Sequence, residues 1–136
     1  MHATVTWLHD QQYDGVSHSG HHVTMDADAA HKAGASPMEL VLMALCGCTS
    51  VDVVSILHKK REPLTSLTVS AVAEQTTEAP RVFTHIRLTY HIGGGVSRKA
   101  AEDAVALSKN KYCSVSKMLE KAATIEYEIT YGTNPA

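Results

Sequence analysis

Residues 36–61 read Ser36-Pro-Met-Glu-Leu-Val-Leu-Met-Ala-Leu-Cys-Gly-Cys-Thr-Ser-Val-Asp-Val-Val-Ser-Ile-Leu-His-Lys-Lys-Arg61, and the fold is decided there. Ser36 is placed to act as N-cap, Pro37 fits a first helical position that needs no N–H, and Glu39 completes a capping box. At the other end His58, Lys59, Lys60 and Arg61 put positive charge where the helix carbonyls point out, and Pro63 stops continuation. A helix of about two dozen residues is implied, roughly 36 Å long. It has almost no polar face. Leu40 to Leu45 are apolar without a break, and Val51, Val53, Val54, Ile56 and Leu57 resume after Thr49 and Ser50. Such a helix is buried on all sides or spans a membrane. Glu39 and Asp52 bracket only twelve uncharged residues, too few to cross a bilayer, so a core helix is expected.

The 136 residues suit one domain, residues 1–136, with a real core. A formal charge of −2 gives no reason to expect nucleic acid or anionic lipid as a partner, and no membrane association is expected. Nine histidines would turn the chain cationic as pH falls below about 6.5. Three cysteines are a poor match to a secreted disulfide framework, and no export leader is visible, so a cytoplasmic location is expected.

Outward from the helix, period-two alternation marks the strands. Ala3, Val5 and Trp7 form a first strand, Asp10 to Tyr13 a turn, and Val16 to Met25 two short strands broken near Gly20. Asp26 to Ala35 is a loop carrying His31 and Lys32. After the helix, Leu67, Val69, Ala71 and Ala73 share one face of a strand, Gln75 to Pro80 turn the chain, and Ile86, Leu88, Tyr90 and Ile92 share one face of the next. Gly93-Gly94-Gly95 is followed by no Gly-Lys-Ser/Thr, so it ends a hairpin and is not a phosphate loop. Ser97 caps a helix with Ala101, Ala104, Val105 and Ser108 inward. A break near Lys111-Tyr112 precedes a shorter helix with Val115, Met118 and Leu119 inward. Ile125, Tyr127, Ile129 and Tyr131 close the chain as a strand. The order is α+β, not alternating βαβ units. One small sheet cannot cover a helix that is apolar all round, so a dimer sharing its core is expected.

The residues that can carry redox chemistry are cysteines. Cys48 lies mid-helix, and Cys113 opens a later helix in Lys-Tyr-Cys-Ser-Val-Ser-Lys. A buried cysteine is often only a small hydrophobe. At Cys113 the helix start and the nearby Lys111 and Lys117 are expected to favour the thiolate, whereas Cys48 must draw any activation from its tertiary neighbours. Cys46 and Cys48 stand about 200° apart around a helix, which opposes both a disulfide and a shared metal site. No second Cys/His pair offers zinc spacing, and His18, His21 and His22 read as a solvated strand edge. No metal and no cofactor are expected.

The long helix, the Glu78-Ala-Pro-Arg-Val-Phe-Thr-His-Ile86 segment and Lys111-Tyr-Cys-Ser-Val-Ser-Lys-Met-Leu119 together resemble the OsmC/Ohr family of osmotically inducible and organic hydroperoxide resistance proteins. The resemblance spans nearly the whole chain and is strongest to the branch with the "VVSIL" helix and "KYCSV" motif. It implies an OsmC-like antiparallel sheet wrapped around a long buried central helix in an intertwined homodimer, with active sites at the subunit interface. It also implies a thiol peroxidase cycle in which Cys48 attacks, Cys113 resolves, and a dithiol reductant such as a lipoyl protein restores the pair. The family arginine has no counterpart, since no arginine precedes Arg61. The family glutamate falls on Met38, with Glu39 one position later and about 100° round the helix. Glu39 is therefore the candidate third catalytic residue, although the capping box already accounts for it. His31, Lys32 and Arg81 are candidates by charge for the arginine's part. Cys46 stands where the family usually has a small residue.

Two functions follow. The first is a two-cysteine redox protein reducing organic hydroperoxides through a sulfenic acid and an intrasubunit disulfide. The alternative is a non-peroxidase of the same fold holding a small thiol, lipid or persulfide ligand at the dimer cleft. A structural protein with inert cysteines is the least supported class.

Overall fold

The structure, a computed structural model, describes residues 1–132. The chain divides into two compact units, Met1–Met43 and the residues from Ala44 on, the division falling between two residues of the long helix.

The first unit holds β1 (Ala3–His9), β2 (Gln12–Ser17) and β3 (His22–Asp26), an antiparallel sheet in that order. Asp10 at φ 49° reverses the chain so tightly that Tyr13 already pairs with Trp7. The turn is thus shorter than Asp10–Tyr13, because one left-handed residue does the work of several. Gly20 breaks the next hairpin at φ 88°. β1 is exposed along its whole length. Asp26, only 3% exposed, organises the following loop. Its carboxylate accepts from Asp28 N at 2.9 Å and Ala33 N at 3.1 Å, and those two N–H groups hold its pKa below the usual carboxylate value.

The long helix, α1 (Pro37–Lys59), starts as its sequence requires. Ser36 Oγ accepts from Glu39 N at 3.2 Å, and Ser36 N donates to Glu39 Oε1 at 2.8 Å, a complete capping box. By length and composition alone α1 is apolar enough to cross a membrane. Its buried positions are Leu45, Thr49, Val53 and Leu57, one stripe at four-residue spacing. Met43 and Val51 stay 60% and 69% exposed. Burial on every side, expected from composition, is therefore not reached within one chain.

The second unit also holds β4 (Leu64–Gln75), β5 (Phe83–Gly94), α2 (Arg98–Leu107), α3 (Ser114–Leu119) and β6 (Thr124–Gly132). β4 and β5 are antiparallel, with Val69 opposite Tyr90 and Ala71 opposite Leu88. Central β5 buries Ile86, Leu88, Tyr90 and Ile92, as its alternation predicts. β6 joins β5 in parallel, Ile86 opposite Ile125, a pairing that needs the long α2–α3 crossover. Gly94, at φ 102°, ends β5 where a side chain would run into the Pro63 carbonyl. Ser97 caps α2, and Ala100, Ala101, Ala104 and Val105 form its buried face. In α3 it is Ser116 that is buried, while Met118 is 64% exposed. The inward placing of Met118 fails because the short helix is anchored by Cys113 and Ser116, which turns position 118 about 200° away from Ser116.

Candidate functional site

Between α2 and α3 the chain widens into one π-turn, Ser108–Tyr112, at the break expected near Lys111. Such turns often mark functional segments. Cys113 N donates to Ser108 O at 2.8 Å, and Cys113 Sγ accepts from Ser116 N at 3.4 Å as the cap of α3. Cys113 is fully buried, and the Cys48 side chain lies against its thiol. Two sulfurs sixty-five positions apart in the sequence are thus neighbours.

The Cys113 thiol is pushed up to about 11. Burial is the chief cause, with the Cys48 side chain and the Asp52 charge adding to it, against the Ser116 N–H that favours the thiolate. The expectation that helix start and lysines make Cys113 a ready thiolate is overturned. Lys117 is turned to Glu120 at 3.2 Å, and Lys111 lies over the Tyr112 ring at 5.3 Å, so neither offsets the burial. Cys113 is a protonated thiol at neutral pH, able to donate to the sulfur beside it. Cys46 is half-buried, and burial raises its pKa too. Its carbonyl accepts from Ser50 Oγ at 2.6 Å.

Next to the cysteines runs a chain of hydroxyls. Tyr90 Oη and Thr49 Oγ1 are 2.7 Å apart, Thr49 Oγ1 and Ser108 Oγ 2.7 Å, and Ser108 Oγ donates to Asp52 Oδ2 at 2.9 Å. Each hydroxyl has one proton, and a carboxylate only accepts, so the order is fixed: Tyr90 donates to Thr49, Thr49 to Ser108, Ser108 to Asp52. Burial raises the Tyr90 phenol to about 12, ahead of the opposing Thr49 bond. Asp52 brings the chain to an open cleft of about 380 Å³ lined also by Ile56, Lys59, Leu107 and Tyr112. Sequence reasoning missed Tyr90, Thr49 and Asp52 as site residues and took Ser108 for packing. The available signals were Asp52, one helical turn after Cys48, and Thr49, a polar residue in an apolar helix.

Glu39 is placed in the first turn of α1 by the capping box. The Ser36 N–H is the main cause of its lowered pKa, with His31 at 3.9 Å assisting. His31 also donates through Nδ1 to Asp26 O at 2.9 Å. Arg81 Nε donates to Thr76 O at 3.1 Å, within the turn between β4 and β5. Lys32 lines an open surface pocket with Asp26 and Asp28.

Comparison with known proteins gives a consistent result. Residues 11–128 match the family described as OsmC-like protein. Protein YhfA of Escherichia coli K12 is 47% identical over 132 residues, which is 95% of this chain and 98% of YhfA. The OsmC like protein from Mycoplasma pneumoniae superposes with a TM-score of 0.84 at 18% identity, covering 96% of this chain and 95% of that one. The organic hydroperoxide resistance protein OhrB of Bacillus subtilis superposes at 0.70 and 14% identity, covering 96% and 98%. At those two identities the likeness is one of fold.

Proposed function

Because the chain belongs to the OsmC-like family, we propose that it is a two-cysteine thiol peroxidase acting on organic hydroperoxides, with Cys48 attacking and Cys113 resolving. Family membership supports a redox or peroxide-resistance role, and the observation that carries the finer reading is the Cys48 side chain lying against the buried Cys113 thiol.

The chemistry runs in two balanced steps. The Cys48 sulfur attacks the terminal peroxide oxygen, the O–O bond breaks, and the alcohol leaves with a proton, which gives a sulfenic acid. The Cys113 sulfur then attacks Cys48, the S–O bond breaks, and the hydroxyl leaves as water with the Cys113 proton. Holding Cys113 protonated until that moment keeps a hydrogen-bond donor beside Cys48 and avoids a second negative charge in a buried site. A dithiol of the lipoyl kind is the proposed reductant. Glu39 is the third proposed member of the site: its carboxylate is held charged by the Ser36 N–H and His31, so the negative group associated with the family's site is present.

The active form is proposed to be a homodimer. One chain covers a single stripe of α1, and β1 leaves Val5, Trp7 and Leu8 in solvent, apolar surface that a second copy would bury. Sedimentation should give twice the 14.7 kDa of one chain.

Thiol counting tests the peroxidase. The reduced protein, freed of reductant and given cumene hydroperoxide, should lose two thiols per chain, and Cys48→Ser should abolish the loss. An unchanged count in the native protein refutes the peroxidase and favours a ligand-binding role for the same thiols.

A further inference from the structure

We infer that Ser108 is a positioning residue which, clamped by Asp52 and Thr49, presents Cys113 to Cys48 for the disulfide-forming step; the inference rests on the thiol pair proposed above. Three bonds converge on it. Its hydroxyl donates to Asp52 Oδ2 at 2.9 Å and accepts from Thr49 Oγ1 at 2.7 Å, both on α1. Its carbonyl accepts from Cys113 N at 2.8 Å. Ser108 thus ties the helix bearing Cys48 to the backbone bearing Cys113, and it is fully buried where it does so.

The direction of the hydroxyl chain makes Ser108 hard to replace. Its one proton is committed to Asp52 and its lone pair to Thr49. Without that hydroxyl, Thr49 loses its acceptor and Asp52 its donor. The π-turn is then held to α1 by packing alone, immediately before the residue that must reach the sulfenic sulfur. Cys48 and Asp52 are one turn apart on α1, so the clamp and the attacked sulfur lie along the same side of the helix. In the step concerned, Cys48–SOH and Cys113–SH become a disulfide and water. No group of the clamp is consumed, and the clamp acts only through the approach of the two sulfurs.

The test is thiol–disulfide equilibrium of the full chain in reduced and oxidised glutathione, with the Cys48–Cys113 bond quantified by alkylation and mass spectrometry. Ser108→Ala should demand about tenfold more oxidising buffer for half formation, equal to about 30 mV. Asp52→Ala should shift the same way, while Asp52→Asn, whose side-chain oxygen still accepts from Ser108, should restore the native value to within about twofold. Thr49→Val removes the second clamp bond and should shift the equilibrium the same way, whereas Val53→Ala, a buried deletion on the same helix outside the clamp, should lower the melting temperature yet leave the equilibrium near native. If Ser108→Ala fails to fold, Asp52→Ala reads the same clamp. Native equilibria in the folded Ser108→Ala and Asp52→Ala variants, or an equal shift in Val53→Ala, would overturn the inference. A native protein inert to cumene hydroperoxide but showing the Ser108 dependence refutes the peroxidase and keeps the clamp. One that consumes peroxide with no such dependence does the reverse.

Discussion

The first turn of α1 and the hydroxyl chain at its middle are both small polar clusters on an apolar helix, and they arise differently. Ser36 and Glu39 find each other because three residues of helix always bring such side chains together, so the cluster is as local as its sequence. Tyr90, Thr49, Ser108 and Asp52 come from a strand, a helix and a π-turn, and nothing short of the folded core assembles them. The local cluster marks where a helix begins. The non-local one lies beside the two sulfurs, and its three hydroxyls are buried while Asp52 reaches the cleft, which makes each missing hydroxyl partner costly.

The largest expected effect that separates the two is alkaline. Cys113 in the fold stands at about 11 against an ordinary thiol at 9.0. The folded state therefore holds a proton that the unfolded state releases between those values. Its contribution is whole below pH 9 and lost as pH approaches 11, on the order of 3 kcal/mol. Urea unfolding of the reduced protein should show that slope, and Cys113→Ser should flatten it below pH 10.

Next comes the network itself. Thr49→Val leaves Tyr90 without an acceptor and Ser108 without a donor in a buried site, and should cost roughly 1–3 kcal/mol in the same assay. A cost near zero would mean the hydroxyls are not sealed from water. Smaller again is the cap: Ser36→Ala should cost about 1 kcal/mol, with the thiol equilibrium untouched. Smallest is Glu39→Gln, whose pH dependence gives its sign. The folded carboxyl sits below its ordinary value, so the native advantage over Gln should hold at neutral pH and vanish as pH falls through the lowered value. Melting temperatures from pH 7 to 3 would show the two proteins converge.

The same contrast explains what could be read before folding. Helix start and stop, the alternation of β5 and the inner face of α2 were legible because caps and periods are local. The parallel pairing of β6 was not, since alternation names a face and not a partner. Met118 was misplaced because a six-residue helix takes its rotation from its anchors, here Cys113 and Ser116. The Cys48–Cys113 pairing came from resemblance, as no spacing rule joins residues sixty-five apart. The protonation of Cys113 was misjudged because lysines adjacent in sequence point elsewhere in the fold. In the sequence Asp52 is only a charge interrupting an apolar run, although it is the residue on which the buried hydroxyls converge.

Two neighbouring thiols working as one oxidisable pair are the centre of the proposed chemistry. Peptide mapping after one equivalent of cumene hydroperoxide tests that most directly. It predicts a linked pair of peptides bearing Cys48 and Cys113, with Cys46 still free. Oxidation confined to Cys46, or three intact thiols, would contradict it.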